Sequence, residues 1–111
     1  MVQNYEFLAT YSVIAKSSVN QDTADILRNA IRQHLKLSES YTFYDDIETT
    51  FSGEFELSGS SKLERKKSLE KELLGIFAFF KSKHDVRNQT RISFVAMADG
   101  VGIVDDNNKL A

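Results

Sequence analysis

Residues 61–83 read SKLERKKSLEKELLGIFAFFKSK, and the contrast between the two halves of this stretch sets the architecture. Ser61, followed three residues later by Glu64, forms a capping box. The serine hydroxyl takes a free N–H of the first helical turn, and the glutamate reaches back to the serine N–H. Leu63, Glu64, Arg65, Lys66, Lys67, Leu69, Glu70, Lys71, Glu72, Leu73 and Leu74 all favour helix. Residues 62–72 are mostly charged, with only Leu63 and Leu69 to bury, whereas 73–80 are apolar nearly all round. The pattern predicts one long helix whose first half stands in water. Its second half is enclosed by the body of the protein or by a second subunit.

Working outward, residues 5–15 alternate, with Tyr5, Phe7, Ala9, Tyr11, Val13 and Ala15 on one face. That is a strand. Leu8 and Ile14 interrupt its other face, so partial cover on both sides is expected. Residues 22–36 carry a helical stripe of Ala24, Leu27, Ile31, His34 and Leu35, with Asn20 and Asp22 as cap candidates. Residues 41–57 alternate over too great a length for one strand. Two antiparallel strands are expected, turning at Ser52-Gly53 in preference to Asp45-Asp46. Residues 91–98 are apolar on both faces, which suits a central strand. Asp99-Gly100 then reads as a type I′ hairpin into a short strand at 101–104.

The order is β-α-β-β-α-β with an extra C-terminal hairpin strand. The expected fold is α+β, a ferredoxin-like sandwich with one mostly antiparallel sheet and two helices on one face. Residues 1–106 make a single domain, and 107–111 are a polar tail expected to fray. There is no cysteine among the 111 residues, which excludes disulfide and thiolate chemistry and fits a reducing compartment. No secretory signal opens the sequence, and the longest apolar run is far short of a membrane span. The expected location is the cytoplasm, with no membrane partner.

Signatures of chemistry are weak. His34 and His84 have no second histidine at ligand spacing, and a histidine near a helix C-terminus is favoured by the helix dipole alone. Asp45, Asp46 and Glu48 offer hard oxygens, but neighbours on a strand point to opposite faces and there is no calcium-binding loop. Asp99, Asp105 and Asp106 read as turn and tail residues. The glycines form no phosphate-binding loop and the serines no nucleophile elbow. No cofactor is implied. An enzyme would have to place its site at Asp46, Glu48 and His34 or His84, and a non-catalytic role is the stronger reading.

Charge is segregated. Residues 1–61 hold four basic and nine acidic groups, and residues 62–91 hold nine basic and four acidic ones. Three readings follow. The acidic and basic parts offset each other within the chain or between two copies; or Asp46, Glu48, Glu54 and Glu56 dock a protein partner; or Lys62, Arg65, Lys66, Lys67 and Lys71 follow phosphates as part of a nucleic-acid accessory protein. The element order is shared with the RNA-recognition motif, which wants basic and aromatic residues on its third strand. Gly53-Glu54-Phe55-Glu56-Leu57 is acidic there, and a pI of about 5.6 also argues against a dedicated nucleic-acid binder. Surplus apolar surface at 73–80 predicts a homodimer in which Phe79 is buried against a twin. The reading is a small binding or regulatory protein whose partners are a second copy and another protein.

Overall fold

The computed structural model describes residues 2–44, 46 and 49–111. Its axis is the first strand, β1 (Val2–Ala15), which is longer than the alternation predicted. At about 3.3 Å per residue such a strand spans roughly 46 Å, which matches the 46 Å long dimension of the molecule. Its inward residues Phe7, Ala9, Tyr11 and Val13 are all buried. Five further elements of the predicted order follow: α1 (Gln21–Leu37), β2 (Tyr41–Phe43), β3 (Thr50–Ser58), α2 (Lys62–His84) and β4 (Thr90–Ala98). A fifth strand, β5 (Gly102–Asp105), closes the chain.

The protein is α+β, with five strands in one sheet in the order β2-β3-β1-β4-β5. Every neighbouring pair is antiparallel. β1 pairs with β3 through residues 2–10 and with β4 through residues 7–15, so the sheet is full only around Phe7 to Thr10. The inward face meets both helices. Ala24, Leu27, Ile31 and Leu35 of α1 and Leu69, Leu73 and Phe77 of α2 are fully buried against it. A chain of ring contacts runs through this layer: Phe55 stacks on Phe7 at 4.5 Å, Tyr11 meets Phe77 at 5.3 Å, and Phe77 stacks on Phe94 at 5.4 Å. These spacings lie in the favoured range for aromatic pairs.

The serine half of the capping box forms as read. Ser61 Oγ accepts the Glu64 N–H at 3.2 Å, while the Glu64 carboxylate reaches the N–H of Ser60 rather than that of Ser61. The apolar end of α2 is only partly enclosed within the chain. Leu73 and Phe77 are buried, but Phe79 is 58% exposed, because one sheet face covers only one stripe of a helix. The charged half is less free than expected. Lys62 and Lys66 lay their alkyl stems over Gly102, and Arg65 Nη2 donates to the Gly100 carbonyl at 3.3 Å. Long cationic side chains can cover apolar surface with their alkyl stems in this way.

Three turns or tails differ from the sequence reading. β2 ends at Phe43 and β3 begins at Thr50, so Ser52-Gly53 lies within a strand and is not the turn. Gly53 lies inside β3, opposite Phe7 and Tyr41, and a Cβ there would sit 2.8 Å from Tyr41 Cδ1 and 3.1 Å from Phe7 Cε1. The glycine is needed so that two rings can cover the strand, which is why it resembles a turn residue. At the β4–β5 turn Val101 N–H donates to the Ala98 carbonyl at 3.1 Å. Gly100 has φ +77° but Asp99 stays out of the left-handed region, so the turn is not type I′. Residues 107–111 do not fray. Leu110 is buried in the core and its carbonyl accepts the Ile92 N–H at 3.1 Å.

Beyond α2, Asp85 fixes the entry into β4. Its buried carboxylate accepts the N–H of Gln89 at 2.7 Å, the N–H of Thr90 at 2.8 Å and the Thr90 hydroxyl. Burial raises the Asp85 pKa, but these hydrogen bonds and nearby Lys81 outweigh it and hold the carboxyl below its ordinary value. Lys81 Nζ in turn donates to Asn88 Oδ1 at 2.6 Å and to the Leu110 carbonyl at 3.3 Å, tying the C-terminal segment to the helix. Burial lowers the Lys81 pKa, with Asp85 partly offsetting it.

A carboxylate held below its unfolded pKa stabilises the fold above that value and loses the contribution as pH falls through the folded one. Asp85→Asn should therefore cost about 2–3 kcal/mol at neutral pH. It should also flatten the loss of stability that the wild type shows below about pH 4; urea unfolding across pH checks both. Gly75, by contrast, is a helical glycine with open space where a Cβ would stand. Gly75→Ala should raise stability by about 0.5–1 kcal/mol in the same assay.

Candidate functional site: the open face of the sheet

Both helices cover one side of the sheet, so the even residues of β1 from Asn4 to Ile14 and their partners face outward. Strand register then lays out this face row by row. The first row pairs Glu6 with Glu54. The next runs Thr42, Ser52, Leu8, Met97, Ile103, and the one after it Thr50, Thr10, Val95, Asp105. Ser12 then pairs with Ser93, and Ile14 with Arg91. One end is acidic, the middle is aliphatic, and the far end carries a single guanidinium.

The aliphatic middle is uncovered. Exposure runs from 43% at Leu8 through 51% at Val95, 53% at Met97 and 55% at Ile14 to 62% at Ile103. The second side of β1 is only partly covered at Leu8 and Ile14, and no helix among the described residues supplies that cover. Likewise β4 is flanked by β1 and β5, as its two apolar faces implied, yet only its even residues are buried. Leu8, Thr10, Thr50, Val95, Met97 and Ile103 line a shallow hollow of about 340 Å³. Contiguous apolar patches on the order of a few hundred Å² are where monomers meet other molecules. Other exposed apolar side chains, including Val19, Ile26, Leu37, Leu63 and Phe79, belong to different elements on the helix side. Isolated ones of this kind are ordinary.

Glu6 and Glu54 stand directly opposite each other across β1 and β3. Like charges in that relation are destabilising. Neither carboxylate makes a hydrogen bond or ion pair among the described residues. Glu56, opposite Asn4 one row further out, extends the acidic end. That end opens into a broader depression with Glu39, Asp99 and Lys62 on its walls.

The remaining sequence candidates are dispersed. Asp46 is exposed in the β2–β3 connection, while Asp45 and Glu48 lie outside the described residues. His34 sits at the exposed edge of the α1 stripe, where its ring is 5.1 Å from that of Phe80. His84 stacks on the same ring at 6.3 Å. Neither histidine is hydrogen-bonded to Asp46. No group of three or more acidic or histidine side chains is placed to hold a metal ion there. Phe79 carries Lys83 Nζ 5.9 Å above its ring, on the helix side. Lys62, Arg65 and Lys66 gather at the β4–β5 turn, and Lys67 and Lys71 are exposed on α2. No helix among the described residues is long and apolar enough to cross a membrane.

Sequence reading found Glu54 and Glu56 but missed Glu6, Val95, Met97 and Ile103. Period-two alternation was the signal for Glu6. The apolar second face of β4 was the signal for Val95 and Met97, once it is asked what covers that face. Removing the Glu6–Glu54 opposition by Glu54→Lys should raise monomer stability by about 0.2–1 kcal/mol in urea unfolding, and a loss of stability would show that the pair is not strained.

Comparison with protein-family models, curated proteins and solved structures finds no match for this chain.

Proposed function

We infer that this chain is a non-catalytic protein-binding protein whose contact surface is the open face of its sheet. The observation that carries this reading is the contiguous aliphatic patch of Leu8, Val95, Met97 and Ile103, half exposed on the side away from both helices. Burying one such side chain is worth roughly 1.5–3 kcal/mol when complete, so four neighbours left half open favour association. The charged rows on either side supply orientation, which is what electrostatics contributes to an interface more than affinity. The absence of cysteine fits a cytoplasmic setting.

This places the contact on the sheet and not on the α2 residue Phe79. We read the fold itself as a ferredoxin-like sandwich extended by one strand. The run β2-β3-β1-β4 with β5 added beside β4 supports that reading. Nucleic-acid binding gains less support. Three of its five basic residues, Lys62, Arg65 and Lys66, pack over the β4–β5 turn, and the open face itself carries Glu6, Glu54 and Glu56.

In dilute solution, where any assembly has dissociated, the wild type should bind a hydrophobic fluorescent dye. Met97→Glu should lose most of that signal with its unfolding free energy within about 0.5 kcal/mol of wild type. Phe79→Glu should keep it. The opposite ranking would move the contact surface to the helix side.

A further inference from the structure

Resting on that reading, we propose that the occupant of the open face is a second copy of this chain, stacked sheet on sheet with its strands reversed. Size comes first. Five strands about 4.8 Å apart and nine residues long at about 3.3 Å each offer roughly 600 Å² per copy, once the short outer strands are allowed for. A standard specific interface uses about 800 Å² per partner. The face is thus large enough for a reversible dimer and too small for an obligate one.

Orientation follows from the rows. A two-fold axis lying between the sheets and along the strands would set Glu6 and Glu54 of one copy beside Glu6 and Glu54 of the other. Four carboxylates would then meet in a partly dry interface, an arrangement strongly disfavoured. An axis across the strands reverses them and keeps their lateral order. Thr10 is midway between Glu6 and Ile14, so an axis over the Thr10–Val95 row sets Glu6 of each copy over Ile14 of its twin, with the twin's Arg91 one strand to the side. Arg91 is exposed, with one hydrogen bond to Asn108 Oδ1 at 3.4 Å, and it carries the charge that the opposed carboxylates lack.

Shape agrees with charge. The same reversal sets Leu8 and Met97 over Ser12 and Ser93, bulky side chains over small ones, and Val95 over its own twin. Alternating large and small residues across a layer is how two faces interdigitate. Asp105 meets its own copy in this arrangement, but on the outermost strand, where sheet twist carries the two copies apart.

Sedimentation velocity from low to high micromolar protein tests the proposal. The wild type should move from 12.6 kDa towards twice that mass. Arg91→Glu and Glu6→Arg should each weaken the dimer at least tenfold, and the two together in one chain should restore it to within about threefold of wild type. A dimer indifferent to these charges, or one that survives Met97→Glu, overturns the reversed stacking. A wild type that stays at 12.6 kDa overturns self-pairing altogether. In that event, dye binding that disappears in Met97→Glu would leave the open face standing as a site for another protein, and its absence would remove that reading too.

Discussion

A sheet has two faces, and this chain supplies helices for only one of them. β1 runs the length of the molecule, and its odd residues pack beneath α1 and α2. Once Phe7, Tyr11 and Phe77 are committed to that layer, period-two geometry turns Leu8, Thr10 and Ile14 the other way. Among the described residues, no helix lies over them. α2 is spent on the inner face, and the C-terminal residues are tied to Lys81 and β4 through Leu110. The open face is therefore a consequence of topology and not of a loose loop.

The inner layer is rigid where the outer face needs support. Ring contacts link β3, β1, α2 and β4, and Asp85 satisfies three donors at the entry to β4. Register is strongly specified when one face is buried, since a slip of one residue would exchange the two faces. The rows that place Glu6 opposite Glu54 and Met97 beside Leu8 are thus held from below. Residues that look optional from outside are positioned by a core they do not touch. Natural sheets usually avoid like charges in direct opposition, so the Glu6–Glu54 pair costs stability that its own fold does not recover.

Much of this was legible in the sequence. The capping box at Ser61, the stripe of α1 and the alternation of β1 each rest on a local period that tertiary structure did not override. What was not legible is what lies across a strand. A β4 apolar on both sides reads the same whether helices, a twin or water face its second side, so Val95 and Met97 could not be assigned. Gly53 misled because a strand glycine shielded by Phe7 and Tyr41 and a turn glycine have the same residue name. The exposure of Phe79 was not legible because apolar density along α2 does not reveal how narrow a stripe one sheet can cover. Leu110, a lone apolar residue in a polar tail, gave no periodic signal at all.

Met97 offers the most direct measurement, since its thioether stands at the centre of the open face and oxidises according to its access to solvent. Peptide mass spectrometry after brief exposure to dilute peroxide would follow its conversion to the sulfoxide. Fast oxidation in dilute protein, slowing as concentration rises, is the expected result. Slow oxidation of Met97 even at the lowest concentration would mean that the chain covers this face itself, and the account of the interface would be wrong.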